Sequence, residues 1–163
     1  MKFENRFFVS KEMYREYVKK VLCSKIYVES VVVALICVLT LLAGVVLEAM
    51  QLRWLGGAGL ILVLSVACIS PHLMLKSLLD YDKRVHGGEH PQCVVRFGET
   101  IKMEEGNVSV EIAYDQIIAW HRLQTCSVLM FTKQNGVMYT ENGFVGDSTG
   151  FEKFIKEKCV NLK

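Results

Sequence analysis

The hydrophobic residues of this chain are concentrated in one block, residues 26–75. No Lys, Arg, Asp or Glu lies between Ser30 and Leu47, and none lies in residues 54–75. Each stretch approaches the roughly 20 residues that an α-helix needs to cross a hydrocarbon core of about 30 Å. A short polar break at residues 48–53 separates them. We therefore predict a two-helix transmembrane hairpin over residues 26–76, with both ends on one side of the membrane. Two buried core helices are disfavoured, because the rest of the chain is too short to cover them.

Residues 1–25 carry two further patterns. Phe3, Phe7 and Phe8 alternate imperfectly with charged residues, which predicts one short strand. From Lys11 onward, apolar residues recur at helical spacing, and Ser10 is placed as the N-cap. The sequence thus predicts a basic amphipathic helix that leads into the first span. It lies either on the membrane surface or against the domain that follows, and both interpretations stay open.

Residues 77–91 are polar and rich in glycine, and we interpret them as a linker. Short β-like runs then follow at regular spacing. They cover residues 92–97, 100–103, 108–113, 116–123, 126–133 and 137–140. Asn135-Gly136 joins the last two, and this dipeptide predicts a type I′ hairpin.

The chain ends in a predicted amphipathic helix. Phe151, Phe154, Ile155 and Cys159 share one face, and Thr149 with Glu152 has the spacing of a capping box. The predicted order is one strand before the membrane, six strands after it and a final helix. This is the element order of a pleckstrin-homology-like (PH-like) barrel. The fold class predicted for the chain is therefore a membrane α-helical hairpin plus an all-β cytosolic domain, residues 92–163, with a C-terminal helix. A plain β-sandwich is the alternative for the sheet.

Charge sets the expected orientation. Residues 1–25 carry seven basic and three acidic residues, whereas residues 86–163 carry eight basic and ten acidic ones. The basic excess next to the first span suits anionic lipid headgroups. Basic residues flank the outer ends of both spans, whereas the hairpin tip has Arg53 alone, so we expect both termini in the cytoplasm. The flanking residues are Lys11, Arg15, Lys19, Lys20 and Lys25 before the first span and Lys76, Lys83 and Arg84 after the second. The slightly acidic domain is atypical of a nucleic-acid-binding protein.

Six scattered cysteines form no CxxC pair, and two of them, Cys37 and Cys68, fall inside the spans. This pattern fits reduced thiols in a reducing compartment. No signal peptide is evident, so we expect the first span to remain as an uncleaved anchor.

Candidate chemistry is sparse. His86, His90 and Cys93 have the spacing H-x3-H-x2-C, which a metal could use, but no fourth ligand is evident nearby and a plain loop is favoured. His121 with Cys126 lacks an orienting third group. The carboxylates of Glu104, Glu105, Glu111 and Asp115 fall at turns and on solvent faces, without a cleft that the sequence reveals. Within the spans, Glu29 and His72 lie near the cytoplasmic ends, where an interfacial position is favoured over an intramembrane function. We therefore predict no catalytic, metal or cofactor-binding residue, and we expect the protein not to be an enzyme.

Three stretches resemble one known family: the corner Tyr114-Asp115-Gln116-Ile117, the hairpin over residues 129–139, and the ending from Gly143-Phe144 to Phe151-Glu152-Lys153-Phe154-Ile155. With them, nearly the whole chain resembles the bacterial YcxB-like family. The resemblance implies a PH-like cytosolic domain behind two adjacent spans, and it implies no catalytic residue. The turn Tyr139-Thr140-Glu141-Asn142 departs from the basic or proline-containing turn expected in that family.

The expected function is that of a membrane-anchored, non-enzymatic binding or adaptor module at the cytoplasmic face of a bacterial inner membrane. Its expected partners are the lipid bilayer, a protein or anionic lipid headgroups, and a second copy of the chain, but no nucleic acid. The alternative is a subunit or regulator of a membrane complex that acts through its transmembrane hairpin.

Overall fold

The computed structural model describes residues 2–88 and 90–162, which divide into two units. One unit comprises residues 18–77 and is helical. The other combines residues 2–17 with residues 78–162 and contains all the strands of the described chain.

The helical unit begins with a π-helical turn, Val18–Leu22, and continues into helix α2, Ser24–Val46. Helix α3, Met50–His86, starts in this unit and runs into the other one. Both helices are long and apolar enough to cross a membrane, and 6% of each apolar window is buried. A helix in the core of a soluble domain would be mostly buried. The predicted pair of long apolar helices is confirmed.

The tip between α2 and α3 is shorter than the polar break at residues 48–53, because Arg53 already belongs to α3. Its guanidinium donates from Nε to the Gly44 carbonyl at 2.9 Å and from Nη2 to the Val45 carbonyl at 3.5 Å. The Val45 carbonyl also accepts from the Glu48 N–H at 3.3 Å, and the positive charge of Arg53 suits the negative end of the helix dipole. Glu48 completes the turn with a φ of 51°.

Two glycines of α3 allow the two helices to touch. A Cβ on Gly56 would lie 2.7 Å from the backbone nitrogen of Leu41, and one on Gly59 would lie 2.8 Å from the sulfur of Cys37. Real Cβ atoms do not approach backbone so closely, so Gly56 requires glycine, whereas a Cβ on Gly59 would displace the Cys37 side chain. Gly57 has no such constraint, since its nearest neighbour would be 3.9 Å away.

The β unit contains two antiparallel sheets, with strand orders β1-β2-β3-β4 and β5-β6-β7. The strands are β1 Phe3–Phe8, β2 Gln92–Phe97, β3 Ile101–Glu105, β4 Val108–Ile112, β5 Ala119–Arg122, β6 Ser127–Met130 and β7 Gly136–Tyr139. Each strand predicted from the alternation of apolar residues is therefore found. No ladder of backbone hydrogen bonds closes either sheet into a barrel within the described residues.

Strand β1 is an integral part of this unit although the helical hairpin separates it from β2 in sequence. Phe3 pairs with Phe97 and Phe8 with Gln92. Asn5 is fully buried, and its side-chain amide donates to the Thr140 carbonyl at 2.7 Å and accepts from the Thr140 N–H at 3.1 Å. The amide of Asn5 thus links the first sheet to the segment that leaves the second.

The predicted amphipathic N-terminal helix is α1, Lys11–Tyr17. The Ser10 hydroxyl accepts a hydrogen bond from the Met13 N–H, as the predicted N-cap requires. Tyr17 is buried and its hydroxyl donates to the Gln134 carbonyl at 2.8 Å. The carboxylate of Glu16 accepts from the backbone N–H groups of Gln124 and Thr125. The apolar face of α1 therefore packs on the β unit.

The last helix, α4, Phe151–Lys158, buries the face predicted for it: Phe151, Phe154, Ile155 and the following Cys159 are all buried. The rings of Phe151 and Phe154 contact a cluster of aromatic side chains in the core. Its other members are Phe3, Phe97, Tyr114, Tyr139 and Phe144.

Two local predictions are wrong. The N-cap of α4 is Gly150, with a φ of 86°, and Glu152 pairs with Arg122 instead of completing a capping box with Thr149. Asn135-Gly136 does not form a type I′ turn, because Gly136 is already the first residue of β7 and pairs with Met130 of β6. The Thr132 hydroxyl organises the loop by accepting from the Gln134 and Asn135 N–H groups.

The polar segment interpreted as a linker, residues 77–91, is mostly helical. Helix α3 continues to His86, because residues 77–86 contain neither glycine nor proline. Gly87 and Gly88 then adopt φ values of 65° and 88°, which favour glycine.

Candidate functional site

A cavity of about 220 Å³ lies between the second sheet and helix α4. Its walls combine aromatic rings with hydroxyls and charged groups. The lining residues are Trp120, Arg122, Ser127, Tyr139, Glu141, Phe144, Ser148, Phe151 and Glu152.

The strand register brings the polar residues of this cavity together. Arg122 pairs with Ser127 on the neighbouring strand, and Ser127 pairs in turn with Tyr139, so the three form a row across the sheet. Trp120 lies two residues before Arg122 on β5 and therefore on the same face. Helix α4 contributes Glu152 from the opposite wall.

Arg122 lies at the open edge of the cavity. Its guanidinium stacks over the Trp120 ring at 4.5 Å and forms an ion pair with Glu152, whose Oε2 lies 2.8 Å from Nη2. Both side chains of this ion pair are more than half exposed, 52% and 58%. An exposed pair of this kind contributes only about 0–1 kcal/mol to stability, so a ligand can compete for either charge at little cost.

The inner wall holds a polar atom without a partner. The Trp120 Nε1–H is buried, and its contact with the Tyr139 hydroxyl falls short of hydrogen-bond geometry, so it completes no hydrogen bond with any described residue. Burial raises the pKa of Tyr139 to about 12, although Ser127 and Trp120 oppose this effect, so the hydroxyl stays protonated at neutral pH. An unpaired buried donor costs about 1–3 kcal/mol. A ligand oxygen that accepts from Trp120 would remove this cost.

A second polar cluster involves His86, one of the three residues of the H-x3-H-x2-C pattern. Its Nε2 atom lies 3.9 Å from Asp82 Oδ1 and 3.9 Å from Glu105 Oε2. The structure does not place His90 or Cys93 in this group: His90 is exposed and Cys93 is buried in β2. Burial raises the pKa of the Cys93 thiol to about 12, which keeps it neutral.

The other candidate residues form ordinary contacts. His121 and Cys126 share no hydrogen bond among the described residues, and burial raises the pKa of Cys126 to about 11. Glu104 pairs with Arg96 at 2.6 Å, and Glu111 accepts from the Thr100 hydroxyl at 2.6 Å. Asp115 is exposed in a 3-10 turn, Tyr114–Gln116.

The chain matches no protein-family model, no curated protein and no solved structure. The assignment of a function therefore depends on the residues themselves. The cavity was missed from the sequence, although the spacing of Trp120 and Arg122 puts an aromatic ring and a cation on one face of a strand.

Proposed function

We propose that this protein is a membrane-anchored binding module whose PH-like domain lies at the cytoplasmic face of a bacterial inner membrane. The observation that carries this proposal is the cavity beside α4, with the unpaired Trp120 Nε1–H on its inner wall and Arg122 at its edge. An indole N–H and a guanidinium are both donors. They suit a protein or lipid ligand that offers a carbonyl, carboxylate or phosphate oxygen.

Two observations support the PH-like description and membership of the YcxB-like family. The described strands divide into groups of four and three in chain order, and a C-terminal helix packs its aromatic face on both groups through Phe97 and Tyr139. The helical hairpin falls between the first and second strands, as the resemblance implies.

The proposal is tested by photocrosslinking from single positions of the full chain in bacterial membranes. A photoreactive residue at Ser148, exposed at the cavity edge, should give a discrete product that disappears when Trp120→Phe is added. Phe keeps an aromatic ring but removes the N–H. Glu111, exposed on β4, is the control position. Mass spectrometry of the product then distinguishes a protein partner from a lipid.

Two outcomes would contradict the proposal. The first is the same set of products from Ser148 and Glu111. The second is a product from Ser148 that persists unchanged in Trp120→Phe. Crosslinks confined to a probe at Leu62, an exposed residue of α3, would favour the alternative of a regulator that acts through its hairpin.

A further inference from the structure

The cluster formed by Asp82, His86 and Glu105 shares no residue with the cavity beside α4. Asp82 and His86 are four residues apart on α3 and therefore lie on one face of the helix. Glu105 reaches them from the end of β3. One ligand atom from each residue lies within 4.8 Å of the other two.

The cluster is largely closed to solvent. The side chains of His86, Asp82 and Glu105 are 7%, 12% and 15% exposed. Two neighbouring buried carboxylates are costly unless a cation compensates them.

The imidazole of His86 is more than nine-tenths buried and points between the two carboxylates, yet it makes no hydrogen bond with any described residue. Both distances from its Nε2 are 3.9 Å, beyond hydrogen-bond length. Two ligands of a tetrahedral zinc ion, each about 2.0–2.2 Å from the metal, lie roughly 3.3–3.5 Å apart. The two distances from Nε2 exceed this separation by about half an ångström, and the ligand atoms of the two carboxylates lie within 4.8 Å of each other.

Tyr14 holds one of the carboxylates in position. Its hydroxyl donates to Asp82 Oδ1 at 3.2 Å. A hydrogen bond of this kind orients a metal-binding carboxylate.

We propose that Asp82, His86 and Glu105 bind one divalent transition-metal ion, for which a nitrogen and two carboxylate oxygens make Zn²⁺ the best-suited probe. Three protein ligands leave a fourth coordination position for water or an incoming ligand. The site joins the end of α3 to β3. Metal binding would therefore stabilise the β unit.

The test uses the full chain in detergent micelles, purified through a tag without histidine and stripped of metal with a chelator. Calorimetric titration with ZnCl₂ should show about one ion per chain, and zinc should raise the thermal midpoint of the β unit. Glu105→Gln keeps the shape of the side chain but removes its charge, so it should lower zinc affinity by at least about tenfold. His86→Ala should have the same effect on binding.

Glu104→Gln is the matched control, since Glu104 precedes Glu105 on β3 but is 45% exposed and pairs with Arg96. It should bind zinc like the unmodified chain, and so should His90→Ala. The absence of saturable zinc binding would overturn the proposal. Equal binding by Glu105→Gln and Glu104→Gln, or loss of binding in His90→Ala alone, would also overturn it.

Discussion

Replacement of Phe154 by alanine tests how helix α4 is held on the β unit. The Phe154 ring is 6% exposed, and its centroid lies 5.4 Å from that of Phe3 and 5.7 Å from that of Tyr114. The change removes a buried ring between strand β1, which precedes the helical hairpin, and the turn before β5. It therefore probes contacts that join distant parts of the chain.

The size of the effect follows from burial. Replacing a buried Phe with Ala costs about 3–5 kcal/mol, because the cavity left behind is only partly filled by relaxation. A domain of this size has only about 5–15 kcal/mol of net stability. Since 1 kcal/mol shifts the midpoint of a domain of about 100 residues by roughly 4–8 °C, Phe154→Ala should lower the thermal midpoint by at least about 10 °C.

The assay is thermal unfolding of the full chain in detergent, followed by tryptophan fluorescence. A Trp54→Phe background removes the signal of the tryptophan in α3, so that Trp120, beside α4, reports on the β unit. Lys153→Ala is the control, because this side chain is 83% exposed and contacts Glu157 at 3.8 Å. It should change the midpoint by no more than a degree or two.

Equal midpoints for Phe154→Ala, Lys153→Ala and the unmodified chain would refute the reasoning. The aromatic face of α4 would then not be part of the core. The main structural support for a PH-like domain would be lost with it.

Three further predictions concern other parts of the molecule. Gly56→Leu should lower the SDS concentration at which α2 separates from α3, whereas Gly57→Leu should not change it. The separation is followed by fluorescence transfer between labels on the two helices. Equal SDS midpoints for the two variants would exclude close packing at Gly56. Three cysteines of the β unit are free and buried, namely Cys93, Cys126 and Cys159, so they should react with an alkylating reagent only when the unit unfolds. A stoichiometric disulfide between any two of them in cells would contradict a cytosolic domain. The hydrogen bond from Arg6, together with Arg96, lowers the pKa of Glu4 despite its burial, so its stabilising effect is present above the unfolded pKa of about 4.3 and is lost as the pH falls through the folded value. Glu4→Gln should therefore lower the denaturation midpoint near pH 7, and its effect should shrink progressively as the pH falls below about 4. An effect that does not change with pH would exclude this linkage.

The sequence predicts those features that depend on local patterns. Unbroken apolar runs identify α2 and α3, and alternation identifies strands such as β4, because burial on one side imposes a period of two. The helical spacing of Phe151, Phe154 and Ile155 likewise predicts the buried face of α4.

Features that depend on distant partners could not be predicted. Thr149 and Glu152 have the spacing of a capping box, but the Glu152 carboxylate pairs with Arg122 of strand β5. Gly136 is required because a Cβ there would lie 2.6 Å from a methyl carbon of Val128, and not because of a positive φ. The same holds for both candidate sites. The cavity depends on the register of the strands. The proposed metal site depends on the position of Glu105 next to α3, a helix that ends 19 residues earlier, at His86.

The pairing of β1 with β2 bears on orientation independently of charge. Both strands belong to one unit, and two apolar helices joined by a short tip lie between them in sequence. If both helices cross a bilayer, the strands can pair only when the chain returns to the side from which it left. We therefore predict that reporters fused at residues 1 and 163 lie on the same side of the membrane. The excess of Lys and Arg before α2 predicts that this side is the cytoplasm, since Lys19, Lys20 and Lys25 precede or begin the helix. Reporters on opposite sides would exclude either two crossings or the β1–β2 pairing, whereas two reporters outside the cytoplasm would contradict the charge rule alone.

Asn5→Ala distinguishes the first two explanations, because loss of its hydrogen bonds with Thr140 should destabilise the β unit only if β1 is part of it.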